Sequence, residues 1–239
     1  SDVIIHVGAI SDTMLKDPNE MMKYNFEFSR VLFNIAEYYN KKVVYSSSAA
    51  NKGDGGSTPS NLYGWSKYVA EKYGISKVSQ FVALRYFNVA GPLQDYNRTI
   101  PPVFAGFILR IKGGHNPIVF GDYMKARDYI DVSDVNAFHI LCMQNEKTAN
   151  QTFNLGTGKM TNLMELKDMI ADIMGVKVDF DHYDAIAGEA LNIRGDVSKA
   201  KLMGWEPKKD IKDTIKETIV YLENEIEEGT IDPLTFMED

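Results

Sequence analysis

The chain of 239 residues holds a single cysteine, Cys142, so no internal disulfide can form and no cysteine-based metal cluster is expected. Its four histidines, His6, His115, His139 and His182, do not stand at metal-ligand spacing and read as structural or exposed. No apolar run approaches the ~20 residues that a membrane-spanning helix needs. Basic charge is not in excess. The net charge of −7 argues against nucleic acid or an anionic membrane as the main partner. No glycine completes G-x-G-x-x-G, the loop that cradles a dinucleotide pyrophosphate at a helix N-terminus; Gly53, Gly55 and Gly56 are clustered but lack that ending. What remains is a globular composition, 44% hydrophobic, sized for one large domain or two small ones, with the cytoplasm as the expected location.

Strand and helix patterns alternate along the chain. The apolar run 2–7, ending at Gly8-Ala9, reads as a buried parallel strand. Residues 18–39 read as a helix that is apolar on more than one side, through Met21, Phe26, Phe28, Val31, Leu32 and Ile35; one face covers a sheet and the other needs a second partner. Strands are expected at 42–45, 80–86, 117–120, 151–155 and 176–180. Helices are expected at 61–78, 100–112 with prolines in the first turn, 132–143, 161–174 and 211–228. Such alternation implies a parallel α/β sheet. Residues 230–239 read as a poorly ordered acidic tail.

The stretch Tyr63-Gly64-Trp65-Ser66-Lys67 carries the most chemistry. A phenol exchanges protons poorly at neutral pH unless a cation stabilises its phenolate. Four residues on along a helix, Lys67 shares a face with Tyr63. Tyr63 is then a candidate general base tuned by Lys67. The pattern repeats in Tyr68…Lys72 and Tyr73…Lys77, and tyrosines five apart point in different directions, so at most one pair faces a given cleft. The other pairs fit a solvated amphipathic helix. Position at the helix entrance singles out Tyr63. Ser48 lies at the carboxyl end of a strand, where doubly wound sheets bind ligands; the competing reading is a turn cap.

Five motifs follow in order: Val43-Val44-Tyr45-Ser46-Ser47-Ser48-Ala49, Tyr63-Gly64-Trp65-Ser66-Lys67, Arg85-Tyr86-Phe87-Asn88-Val89-Ala90-Gly91-Pro92, Arg127-Asp128-Tyr129-Ile130 and Phe153-Asn154-Leu155-Gly156-Thr157-Gly158. Together they resemble the extended short-chain dehydrogenase/reductase family, in particular its nucleotide-sugar epimerases, from the first residues to about Trp205. Segments 6–13 and 25–30 look most like ADP-glyceromanno-heptose 6-epimerases, with UDP-glucose 4-epimerases next. The resemblance implies a Rossmann-like doubly wound parallel sheet lacking its N-terminal part, with a smaller C-terminal α/β substrate domain. Residues 1–92 and 117–155 would form the remainder of the dinucleotide-binding domain, and 93–116 with 156–229 the substrate region. The glycine fingerprint would precede Ser1 by some ~60–70 residues, about two βα units. The chain as written would then begin inside the domain, bind NAD weakly or not at all, and be unstable or self-associating.

The resemblance also implies roles. Ser48, Tyr63 and Lys67 are catalytic. Val7, Gly8, Ala9 and Ser11 line NAD (or NADP), Asn25 supports it from the following helix, and Phe87 packs near the nicotinamide, with Tyr63 and Lys67 also touching the cofactor. Asn88 and Arg127 bind a nucleoside-diphosphate sugar, Arg127 through the planar fork that suits a pyrophosphate. The competing reading of Arg127 is an ion pair with Asp128 or Asp131, and Asn154 can be purely structural. A homodimer is expected through the helices at 18–39 and 61–78. Three departures stand out. The interval from Ser48 to Tyr63 is about ten residues short; Asn97, beside Arg98, replaces a lysine of the heptose epimerases; and Ile186-Ala187 replace an arginine of the 4-epimerases, with Arg194 nearby. The implied activity is NAD(P)-dependent epimerisation. The alternatives are a nucleotide-sugar dehydratase or reductase of the same family, the dehydratase lacking a carboxylate at Ala49-Ala50-Asn51, and a non-catalytic truncated fragment.

Overall fold

A computed structural model describes residues 1–52, 58–97, 100–185, 192 and 194–236, excepting the side chains of Leu234 and Phe236. In chain order the elements begin with β1 (Val3–His6), α1 (Pro18–Met22), a π-helical turn (Lys23–Glu27), α2 (Phe28–Tyr38), β2 (Lys42–Ser48), α3 (Leu62–Lys77), β3 (Phe81–Tyr86) and β4 (Asn88–Ala90). There follow α4 (Val103–Lys112), β5 (Ile118–Phe120), β6 (Ala126–Arg127), β7 (Tyr129–Asp131), α5 (Val132–Gln144) and β8 (Gln151–Leu155). The chain continues through β9 (Thr161–Asn162), α6 (Leu163–Met174), β10 (Asp181–Tyr183), α7 (Ser198–Lys201) and α8 (Ile211–Glu227).

The central sheet has the order β1-β2-β3-β8, and every pair is parallel. Strand side chains alternate between faces, and every residue of β2 is buried, so both faces of the sheet are covered. Val43, Tyr45, Phe81 and Ala83 pack with Phe33, Ala36 and Ala70 under α2 and α3. Val44, Val82, Leu84 and Phe153 pack on the opposite side with Val135, Phe138 and Trp205. A third core joins α4, α6 and α8 around Phe104, Ile108, Leu166, Ile170 and Ile215.

Several expectations shift. The helix expected over 18–39 is one helical run interrupted by the π turn, which swings Asn25 inward, 1% exposed. The strand expected at 176–180 forms instead at Asp181–Tyr183, because β10 pairs in parallel with β5. That pairing, with Val119 in the third core, sets β5 against the later part of the chain. α4 begins at Val103, after both prolines, with Pro102 as its N-cap. The stretch read as a poorly ordered acidic tail packs in part: Ile231 is buried in the third core and residues Pro233–Phe236 form a 3-10 turn. The Gly53–Ser57 loop, Arg98 and Ile186-Ala187 lie outside the described residues.

Candidate active site

Strand β2 ends at Ser48, and the 3-10 turn Ala49–Asn51 follows, leading toward the N-terminus of α3. Asn61 caps α3, its side chain accepting from the Gly64 N–H at 2.8 Å. Gly64 is required by close approach: a Cβ there would lie 2.5 Å from the Ala50 carbonyl oxygen. The missing side chain lets the first turn of α3 seat against the turn after β2, with Tyr63 and Ser48 on the wall of the same cavity.

Both residues line a cavity of about 1040 Å³. Ser11, Phe87, Asn88 and Arg127 line it as well, with Asn97 and Lys125 further along. Ser48 combines both readings of it: it caps the turn, with Oγ accepting from the Ala50 N–H at 3.1 Å, and it faces the cavity. Its hydroxyl hydrogen remains to donate. Tyr68 and Tyr73 point elsewhere. Tyr68 stacks edge-on with Trp65, and the Tyr73 hydroxyl donates to Asn34 Oδ1 at 2.7 Å.

Lys67 is 3% exposed, and its Nζ donates to the Ser46 carbonyl at 2.8 Å while lying 6.0 Å from the Tyr63 ring centre. Burial pulls its pKa down to about 8. Burial pushes the Tyr45 and Tyr86 phenols upward, so both stay neutral at physiological pH and neither competes as proton acceptor. The helix α3 is fastened to the sheet by Glu71, fully buried, which accepts from Ser47 Oγ at 2.6 Å, from Asn51 Nδ2 at 2.7 Å and from Arg85 Nε at 3.0 Å.

The remaining expected residues fall into two groups. Asn25 sits behind the wall: it exchanges hydrogen bonds with the Ile10 backbone at 2.8 and 2.9 Å and donates to Ser66 Oγ at 2.9 Å. Ser66 in turn donates to the Tyr63 carbonyl at 2.7 Å, so Asn25 ties the loop after β1 to the start of α3. Val7 and Gly8 lie exposed past the end of β1, outside the cavity wall, as does the half-buried Ala9. Arg127 is 9% exposed, unlike a surface ion pair. The Asp128 carboxylate accepts from Thr157 N and Oγ1 at 2.7 Å, Gly158 N at 2.8 Å and Gly195 N at 3.0 Å. Asp131 is taken by Ser133 and Thr214. Asp128 is a site-building residue that sequence reasoning passed over; its signal was the Gly156-Thr157-Gly158 turn, whose backbone needs a buried acceptor. Asn154 donates to the Asp196 carbonyl and is structural.

Residues 1–156 match the NAD dependent epimerase/dehydratase family. The chain belongs to that family. A putative UDP-glucose 4-epimerase of Methanocaldococcus jannaschii is 34% identical over 174 residues, 70% of this chain and 54% of the relative. The match thus spans about half of that relative's length. The ADP-L-glycero-D-manno-heptose-6-epimerase of Brachyspira hyodysenteriae is 28% identical over 93% of this chain and 76% of its own. Among solved structures, the Thermotoga maritima UDP-glucose 4-epimerase with UDP-glucose superimposes with a TM-score of 0.88 at 28% identity, covering 94% of this chain and 78% of that one. The Methanobrevibacter ruminantium UDP-N-acetylglucosamine 4-epimerase gives 0.88 at 27% identity, covering 94% and 77%. The residues present fit one end of the family's NAD. Ser48, Tyr63 and Phe87 line one cavity above the buried Lys67, and a Cβ on Gly8 would meet nothing within 4 Å, which leaves open space beyond β1. Among the described residues there is no group of acidic, histidine or cysteine side chains that could hold a metal, and no helix long and apolar enough to cross a membrane.

Proposed function

We propose that the protein is an NAD-dependent epimerase of a nucleoside-diphosphate sugar. One observation carries the reading: of three tyrosines at Tyr-Lys spacing on α3, Tyr63 is the one that lines the cavity that Ser48 also lines, with the buried Lys67 Nζ 6.0 Å from its ring centre. When bound, NAD supplies a reversible acceptor for the hydride on the reacting sugar carbon. The chain's own residues handle the proton. Tyr63 takes it from the sugar hydroxyl and later returns it. The Lys67 charge stabilises the phenolate. Ser48 keeps its hydroxyl hydrogen for the reacting oxygen, because the Ala50 N–H already occupies one lone pair. Phe87 would pack near the nicotinamide and Ser11 would stand at the cofactor's edge, on the loop after β1 that Asn25 holds through Ile10. Asn88 and Arg127 bind the sugar nucleotide, with Arg127 on its pyrophosphate.

Ala49 and Ala50, which line the cavity next to Ser48, favour epimerase over dehydratase, since neither carries the carboxylate that elimination of water needs. We place the protein in the cytoplasm as a homodimer, paired through α2 and α3. Phe28, Val31, Ile35 and Tyr38 recur at helical spacing along α2 and are 49–82% exposed.

The test uses the product of the complete gene with NAD and UDP-glucose carrying deuterium at C4, followed by NMR. The expected result is a C4 epimer that retains the deuterium. Deuterium lost to solvent would overturn the reading. So would the absence of any epimer from UDP-glucose, UDP-N-acetylglucosamine and ADP-heptose alike.

A further inference from the structure

The turn that carries Ser48 is held by a buried cluster to which the proposed reaction gives no role. Asn51 closes the 3-10 turn Ala49–Asn51 and is 1% exposed. Its amide nitrogen donates to Glu71 Oε2 at 2.7 Å and to Ser47 Oγ at 3.2 Å. Ser47 Oγ donates to the same Glu71 oxygen at 2.6 Å. One carboxylate oxygen thus holds the residue before Ser48 and the residue three after it. Arg85, opposite Ser47 on β3, bonds Glu71 through Nε at 3.0 Å and through Nη2 at 2.5 Å. A carboxylate paired with a guanidinium only accepts, so Ser47 and Asn51 must donate. The reverse orientation of the Asn51 amide would set two acceptors face to face. Asn51 Oδ1 is buried and has no hydrogen-bond partner among the described residues, so Nδ2 anchors the side chain.

Glu71 belongs to α3, the helix that also carries Tyr63 and Lys67. The same helix meets the turn a second time at Gly64, where a Cβ would stand 2.5 Å from the Ala50 carbonyl oxygen. We propose that Glu71 and Asn51 are positioning residues for Ser48: their bond fixes the Ser48 turn on the helix that bears Tyr63, so that the serine and the tyrosine keep one separation across the cavity. Ser48 Oγ bonds the Ala50 N–H at 3.1 Å, inside the turn, and that bond does not set where the turn sits. The clamp does, because it joins the turn to α3 directly. A misplacement of about 1 Å at a reacting group can cost on the order of 10²-fold in rate, so a clamp remote from the substrate can still govern turnover.

The proposal rests on Ser48 as the donor to the reacting oxygen in the proposed epimerase. Its test compares four forms of the complete gene product: wild type, Asn51→Asp, Ser48→Ala and the two changes together. Asn51→Asp turns the amide into a second carboxylate against Glu71. The expected result is a kcat lower by roughly tenfold or more, with a smaller change in KM. In the Ser48→Ala background Asn51→Asp is expected to cost little further, because the residue it positions is already gone. Glu71→Gln added to Asn51→Asp exchanges carboxylate and amide, rebuilds the pair and restores most of the kcat. Hydrogen exchange of the Ala50 N–H reads the clamp without substrate: roughly tenfold faster in Asn51→Asp, with the Val44 and Val82 amides of the sheet unchanged. If Asn51→Asp does not fold, Asn51→Ala is measured in its place. A kcat unchanged by the Asn51 substitution, a loss that persists in full without Ser48, or Ala50 exchange that rises no more than that of the sheet overturns the proposal. An inactive wild type strikes the proposed reaction instead, and the exchange reading still stands.

Discussion

Lys67 and Ser46 are joined across two elements: the ammonium on α3 donates to the last strand carbonyl but two of β2, at 2.8 Å. The contact fixes the cation under the Tyr45 and Tyr63 rings, at 5.1 and 6.0 Å from their centres. A lysine held by a backbone carbonyl keeps its place whether or not Tyr63 is ionised. On the proposed reading, the charge that serves Tyr63 is thus built into the fold before any substrate arrives.

Gly64 controls how closely α3 approaches the turn that follows β2. In Gly64→Ala the new Cβ would stand 2.5 Å from the Ala50 backbone oxygen, so the helix start must move away. The expected outcome is a folded protein, about 1–3 kcal/mol less stable by urea denaturation, with turnover reduced through separation of Tyr63 from Ser48. Full turnover in Gly64→Ala would mean that the helix start is not what sets the site.

His6 predicts a pH dependence of stability. Burial, aided by Lys67, lowers its pKa from 6.5 to about 4, and its Nε2 bonds Ser29 Oγ at 2.8 Å. The unfolded chain takes up a proton below pH 6.5 while the folded chain does not until about 4. Its stabilising contribution is complete above pH 6.5 and falls as pH drops toward 4, by up to roughly 1.4 kcal/mol per pH unit. Urea midpoints measured from pH 7 to pH 4.5 should therefore fall more steeply in the wild type than in His6→Asn.

If Arg127 serves sugar-nucleotide binding as proposed, its replacement separates binding from chemistry. Arg127→Met is expected to raise KM for the sugar nucleotide on the order of tenfold or more, with a smaller change in kcat. Arg127→Lys should recover only part, because an ammonium cannot reproduce the planar fork. Steady-state kinetics of the three forms would expose the error if KM stays fixed.

Much of the fold was legible because its signals are local. Apolar runs such as Val43-Val44-Tyr45 mark buried parallel strands, and β2 was read correctly apart from its last three residues, where serines hide the pattern. Ser48, Tyr63 and Arg127 do meet in one cavity. What was not legible depends on distant partners. The short strands β4, β6, β7 and β9 exist only by pairing with one another. β10 lies past the apolar run at 176–180 because β5 chooses its register. The π turn at Asn25 reflects the hydrogen bonds that Ile10 and Ser66 offer it, 15 and 41 residues away. The role of Asp128 depends on three backbone N–H groups supplied by residues 157, 158 and 195.

The most direct test of the account compares turnover of the complete gene product with those of Tyr63→Phe, Tyr68→Phe and Tyr73→Phe, under saturating NAD and sugar nucleotide. All three tyrosines have a lysine four residues on, but Tyr63 alone lines the cavity. The account predicts that Tyr63→Phe lowers kcat by a factor on the order of 10²–10⁴, while the other two remain near wild type. A Tyr63→Phe variant that turns over normally, or a comparable loss in Tyr68→Phe or Tyr73→Phe, would contradict it.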